Sequence, residues 1–263
     1  MLFAGIDIGS LTAEAVVIED GKILGAEIIS VLPHPLDSAR EVMGRLSSKQ
    51  GIQWRDIQYT VSTGYGREQL QKEGLAQENI SEISCHGLGA YALCPEVRTV
   101  IDIGGQDAKV IKIAASGELE NFVMNDKCAA GTGHFLEVMS RTLGVALEEI
   151  GPLSLGSRKP VEMSNRCTIY VETEVIHFLQ RGVPKKDVAA GINRAMAERV
   201  LALVRRVNPE PEVMLTGGVA KNVAVKNELE RMLNVKVVPT KIDPQIIGAF
   251  GAALFAQRKA GAG

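Results

Sequence analysis

Two copies of a β-hairpin-plus-strand unit, set among helices of small residues, predict an α/β protein of two similarly built domains. The clearest sign is that Ile6-Asp7-Ile8-Gly9 recurs as Ile101-Asp102-Ile103-Gly104. At the same offset Ala13 matches Ala108, Val16 matches Ile111 and Ile18 matches Ile113. Sequence, hydrophobic phase and turn repeat together, as expected of a duplicated supersecondary unit. Size agrees, because 263 residues, 46% hydrophobic and 23% charged, suffice for two full cores.

In the first copy, residues 2–8 are an apolar run ending at Asp7-Ile8-Gly9-Ser10. Residues 12–18 form a second strand, Asp20-Gly21 a hairpin turn, and 22–32 a third strand. Pro33 and Pro35 close the unit. Val42, Met43 and Leu46 give residues 38–48 helical spacing. Residues 57–62 form a strand that enters the loop Thr63-Gly64-Tyr65-Gly66-Arg67, which could face a cleft, a partner, or be an ordinary turn. Residues 84–93 read as a small-residue helix stopped by Pro95.

The second copy follows as strands 99–103, 108–113 and 118–124, with a turn at Ser116-Gly117. Phe135, Val138 and Met139 place a helix over 133–143, just after Cys128. Residues 153–166 are mixed. A helix runs from Thr168, with Val171, Val175, Phe178 and Leu179 on one face, and another spans 187–207. A strand at 213–215 leads into the loop Thr216 to Asn222 and a further helix. Residues 235–238 read as a strand and 244–257 as a last helix. Its Gly248, Ala249, Gly251, Ala252 and Ala253 allow very close helix contact.

Several classes are excluded. The net charge is −2 with no basic stripe, so no nucleic acid is expected. Residues 1–18 lack a basic region before an apolar core, and no run of 18 apolar residues exists. Neither a signal peptide nor a membrane span is expected, which points to the cytoplasm. Four cysteines without a secretory signal suggest thiols that are free, metal-bound or catalytic.

The glycine turns carry the chemistry. Bare N–H groups in such turns can cradle phosphate oxygens. Asp7 and Asp102 could hold Mg²⁺ through water, with turn capping as the alternative. The loop 215–222 joins strand to helix, a common ligand-binding corner. Gln106 could orient an attacking water or simply make a loop hydrogen bond. Cys128 sits beside a helix start, where N–H groups and the dipole favour an anion or thiolate. One cysteine is not a metal site, and without further context Cys128 and Cys167 read equally as apolar thiols. Cys85 and Cys94 read as structural, and His134 as a packing residue.

The repeated Asp-x-Gly hairpins and the late Thr-Gly-Gly-Val loop resemble the nucleotide signature of the actin/hexokinase superfamily. That resemblance implies two ribonuclease-H-like (actin-like ATPase) domains with the nucleotide cleft between them. The first would span 1–95, completed by a C-terminal helix 244–263, and the second 96–243. It implies nucleotide contacts from Gly9, Ser10, Leu11 and Thr12, from Gly104, Gly105 and Gln106, and from Gly217, Gly218, Val219, Ala220 and Asn222. Asp7, Asp102 and Gln106 would be the catalytic residues, and the helices 84–93 and 244–257 would cross between the domains.

The string Asp126-Lys127-Cys128-Ala129-Ala130-Gly131-Thr132-Gly133 is more specific. With Thr63 to Arg67, Val100 to Asp107, the Cys167 segment and Met214 to Ala220, it is similar to one branch: the ATP-dependent activators of 2-hydroxyacyl-CoA dehydratases and the ATPase subunits of benzoyl-CoA reductase. The resemblance implies a homodimer that binds ATP/ADP and Mg²⁺ and shares one 4Fe-4S cluster, held by Cys128 and Cys167 of both chains. It implies ferredoxin or flavodoxin as electron donor, and a 2-hydroxyacyl-CoA dehydratase-like or double-cubane protein as acceptor. Glu14 departs from the pattern, standing where many relatives carry a lysine near the first phosphate loop, and strand alternation is expected to turn it away. The alternative is a sugar or acid kinase of the same superfamily, with Asp102 as its base.

Overall fold

The computed structural model describes residues 1–125, 128–164 and 167–261. Asp126 and Lys127 of the cysteine string, and Asn165 and Arg166 before Cys167, lie outside the described residues. Strands β1 (Leu2–Ile8), β2 (Thr12–Glu19) and β3 (Lys22–Ser30) form an antiparallel meander. After helix α1 (Pro35–Gln50), β4 (Ile57–Gly64) returns parallel to β1. Helix α2 (Arg67–Lys72) and the short β5 (Glu78–Asn79) complete the order β3-β2-β1-β4-β5.

Helix α3 (Glu82–Leu93) leads to a second meander of β6 (Thr99–Ile103), β7 (Ala108–Ile113) and β8 (Leu119–Asn125). Helices α4 (Gly133–Leu143), α5 (Ile150–Leu155), α6 (Thr168–Gln180) and α7 (Lys185–Val204) follow. Then β9 (Val213–Thr216) pairs parallel with β6, giving β8-β7-β6-β9, before α8 (Val223–Leu233) and α9 (Ile247–Ala260). The repeat is therefore one of topology. It extends to register: Asp7 stands opposite Glu14, and Asp102 opposite Lys109.

Both faces of each sheet are covered, which is why the inner strands are apolar throughout rather than alternating. Ala4, Ile6, Ala15 and Val17 pack on Val42, Met43 and Leu46 of α1. From the other face, Phe3, Val16, Ile18 and Val61 pack on Ala249, Phe250, Ala252 and Ala253 of α9. In the second sheet Ile101, Ile103 and Val110 face α4, α6 and α7, while Val100, Ile111 and Ile113 face Ile83 and Ala90 of α3. Helices α3 and α9 thus lie between the sheets.

Three local expectations change. The strand at 235–238 reduces to a bridge between Val213 and Val237, because the Val237 N–H donates to the Glu230 carboxylate at 3.0 Å. Residues Pro244–Ile246 form a tight 3-10 turn capped by Asp243, so the last helix begins at Ile247. Pro35 opens α1 rather than closing the hairpin unit, its missing N–H being free of cost there.

Helices α3 and α9 touch backbone to backbone. A Cβ at Gly251 would run into the Cys85 carbonyl, so this crossing admits no larger residue without displacement. Gly251→Ala should therefore lower stability by about 3 kcal/mol, the scale of overpacking, although helix propensity alone would favour alanine. Thermal unfolding would show a drop of roughly 6–12 °C; an unchanged or raised midpoint would contradict the packing.

Candidate functional site: a cleft between the two hairpin units

A cavity of about 350 Å³ opens between the sheets, floored by the two hairpin turns. The turns are the same: Gly9 N–H donates to the Thr12 carbonyl at 2.9 Å, and Gly104 N–H to the Asp107 carbonyl at 3.0 Å. Gly9, Ser10, Leu11 and Thr12 line the cleft with Gly104 and Gly105. Gly217, Gly218, Val219 and Asn222 line it from the third loop. Ala220 does not, and Gln106 is exposed outside the lining, so the structure does not bring it to Asp7 and Asp102. A wall of Leu136, Glu137, Leu147, Glu148 and Gly151 had no sequence signal.

The third loop turns at Gly217, whose φ of +81° and nearness to the Ile103 carbonyl and Asp102 carboxylate leave no room for a side chain. Gly64 repeats this at φ +79° against the Ile8 carbonyl and the Asp7 carboxylate. Thr63 to Gly66 is thus the first-half counterpart of Thr216 to Val219, and its Tyr65 lines the cleft.

The charges of the two halves are opposed. Lys109 donates to Asp107 at 2.5 Å and Asp102 at 3.2 Å, with Glu82 at 3.2 Å. Burial works against this ammonium, but the three carboxylates outweigh it and raise its pKa. Burial would likewise raise Asp102, yet His86 and Lys109 hold it below the usual carboxylate range. Thr216 also donates to it at 3.1 Å. His86 Nδ1 is 3.6 Å from Asp102, beyond hydrogen-bond range, and has no hydrogen-bond partner among the described residues.

Asp7 has no such support. Burial, then the like charges of Glu14, Glu82 and Asp102, push its carboxyl well above the usual range. Glu14 is not turned away: it is 4% exposed, lines the cleft, and accepts from Gln245 Nε2 at 2.9 Å. The shared register was the available signal, since it puts Glu14 on the face that Lys109 occupies in the second half. Burial pushes Glu14 up to about 7 from 4.5. In that window the unfolded chain releases the proton first, so stability falls as pH rises from about 4.5 to about 7 and is level above it. Glu14→Gln should therefore match the parent's unfolding midpoint near pH 4 and exceed it at pH 8, by on the order of 3 kcal/mol at most. A pH-independent difference would refute the assignment.

The cysteines separate clearly. Cys85 is buried, and burial pushes its thiol far up. Cys94 is partly exposed beside Glu96. Cys167 is exposed at the N-cap of α6, where its side chain makes no capping hydrogen bond. Cys128 is half-buried, five residues before α4 rather than at its start. The first amides of α4 are already committed: Gly133 and His134 N–H donate to the Gly104 and Gly105 carbonyls, each at 2.8 Å. So α6, not α4, presents a cysteine at a helix N-terminus. Among the described residues no three His, Cys, Asp or Glu side chains converge as a metal site, and no helix is long and apolar enough to cross a membrane.

A meander with a parallel return, duplicated around a cleft that both hairpin turns face, is an actin-like ATPase fold. At the level of fold alone, the chain superposes on a ROK-family glucokinase from Streptomyces griseus with a TM-score of 0.60 at 14% identity, covering 98% of this chain and 100% of that one. The chain belongs to the BadF/BadG/BcrA/BcrD ATPase family, which it matches over residues 4–256. It is 44% identical over 260 residues to the (R)-2-hydroxyglutaryl-CoA dehydratase activating ATPase of Acidaminococcus fermentans, covering 97% of each chain. The structure of the activator of 2-hydroxyisocaproyl-CoA dehydratase from Clostridium difficile with bound ADPNP matches with a TM-score of 0.94 at 41% identity, covering 100% of this chain and 96% of that one.

Proposed function

We propose that this ATPase activates a 2-hydroxyacyl-CoA dehydratase, or a related double-cubane protein, by giving it one electron at the cost of ATP. The observation that carries the reading is the separation of two kinds of site on one fold. A buried acidic cleft faces the hairpin turns, while a solvent-reachable cysteine stands at the N-cap position of α6 outside it. The named functions of the relatives supply the acceptor class.

In the cleft, backbone N–H groups of the turns at Gly9 and Gly104 would hold phosphate oxygens. Asp7 and Asp102 suit Mg²⁺ held through water. The raised pKa of Asp7 marks an uncompensated buried carboxylate that a cation would relieve. Two thiols per chain, from Cys128 and Cys167, fit a 4Fe-4S cluster only when a second copy brings two more. When bound, the cluster would supply a one-electron store. Ile169 and Tyr170, 70% and 66% exposed beside Cys167, suit coverage by another copy in a homodimer. The hydrogen bonds from the start of α4 to Gly104 and Gly105 join the second phosphate turn to the Cys128 segment, so movement at the phosphates reaches that segment directly. A ferredoxin or flavodoxin would donate the electron, in the cytoplasm.

Anaerobic purification tests the reading. A brown dimer with about four iron atoms, able to activate a purified 2-hydroxyacyl-CoA dehydratase only with ATP, supports it. A colourless, iron-free protein that consumes ATP only when a sugar or acid is added would establish the kinase reading instead.

A further inference from the structure

The loop Thr63 to Arg67 has no part in the function described so far, yet it is built with care. Gly66 N–H donates to the Ile8 carbonyl at 3.1 Å, and Arg67 Nη1 to the Gly64 carbonyl at 3.0 Å, which fixes the loop on the end of β1. Between them Tyr65 projects with 55% of its surface exposed, so packing does not explain its position. Its hydroxyl crosses the cleft and donates to Asp107 Oδ2 at 2.9 Å. Asp107 is 3% exposed in the turn of the second hairpin, and its other oxygen accepts from Lys109.

The opposite side mirrors this contact. Thr12 is the first-hairpin counterpart of Asp107, and Gln245 Nε2 donates to its Oγ1 at 3.0 Å from the segment leading into α9. Each phosphate turn is therefore held at the same position by a side chain reaching in from elsewhere. The two grips differ in strength. Gln245–Thr12 is a neutral bond, whereas Tyr65–Asp107 ends on a carboxylate and is charge-assisted. Beside Asp107, the Tyr65 hydroxyl is pushed up to about 12 by burial and by accepting company, so it remains a donor across the working pH range.

We propose that Tyr65 is a positioning residue for ATP turnover: its hydroxyl ties the first half to Asp107 across the phosphate end of the cleft, and so sets how fast nucleotide leaves. The inference rests on the cleft being the nucleotide site. A nucleotide lying between the two turns leaves by their separation, and separation breaks this bond. Asp107 in turn holds Lys109 at the phosphate end, so the same bond keeps that cation in place.

The test is the release rate of a fluorescent ADP, followed by stopped flow on the full chain. Tyr65→Phe removes only the hydroxyl. Release is expected to quicken about tenfold, the weight of one hydrogen bond to a charged group partly open to water, with KM for ATP raised in step and the unfolding midpoint unchanged. Asp107→Asn takes the charge from the same bond and also loosens Lys109, so in the double variant Tyr65→Phe should quicken release by less than it does alone. Release from Tyr65→Phe within twofold of the parent, or full additivity, overturns the proposal. If Asp107→Asn does not fold, the Tyr65→Phe rate decides alone. A parent chain that binds no labelled ADP overturns the nucleotide reading of the cleft and this inference with it, whereas equal release from both proteins overturns only the inference.

Discussion

Asp7→Asn is expected to raise the unfolding midpoint of the nucleotide-free protein, and Asp102→Asn to lower it, although the two residues are copies of one another in the repeat. The reason is their surroundings. Asp7 is buried among like charges, so its ionised form is a burden at neutral pH that asparagine removes. Asp102 is ion-paired with Lys109 and accepts from Thr216, so the same change leaves buried partners unmatched. Breaking such a pair costs several kcal/mol when the cation is stranded. Here Lys109 keeps Asp107 and Glu82, so about 1–3 kcal/mol is expected. If the proposed function holds, both variants should lose ATP turnover by about a hundredfold or more, since each would delete a charge that holds a cation on the phosphates. Matched calorimetry and phosphate-release assays would check the pair. Midpoints moving in the same direction would show that the two halves are electrostatically equivalent.

Cys167→Ser is expected to abolish iron content and dehydratase activation under anaerobic conditions, while leaving ADP affinity within about twofold, because Cys167 lies outside the cleft lining. Cys128→Ser should lose iron to the same extent, since a cubane cluster short of two thiolates across a dimer is not retained. Its effect on nucleotide should be larger than that of Cys167→Ser. The Cys128 carbonyl accepts from Asn125 Nδ2 at 3.0 Å, and the segment after it runs directly into the α4 amides bound to Gly104 and Gly105. By contrast Cys85→Ser should leave iron untouched, because that thiol is enclosed at the helix crossing. Iron analysis of the three variants, with ADP titration alongside, separates these outcomes. Full iron in either Cys128→Ser or Cys167→Ser would remove that residue from the ligand set.

What could be read from the chain was what its local period carries. Strands β6 and β7 and helix α4 fall where the apolar residues put them, because the two strands are buried on both faces and read as mostly apolar runs, while α4 buries one helical face. The short α2 and α5 gave no such period, being six residues each. The cleft floor was legible because glycine turns and repeated aspartates are local features. Its closure was not. Tyr65 and Asp107 are 42 positions apart, and Gln245 and Glu14 are 231 apart, so nothing in their neighbourhoods announces either contact. Gln106 shows the converse: its neighbours Gly105 and Asp107 face the cleft, but the turn carries it outward.

The exchange of Glu14 for Lys109 at matching register has a further consequence. Two identical copies facing each other would enclose a cavity with no head or tail, and an elongated guest could lie in it either way round. One half here offers a cation within a cage of acids, and the other a buried acid that holds its proton more tightly than an exposed one. That dissimilarity, with the unequal grips on Thr12 and Asp107, makes the two ends of the cavity distinguishable, so an elongated guest fits one way round better than the other.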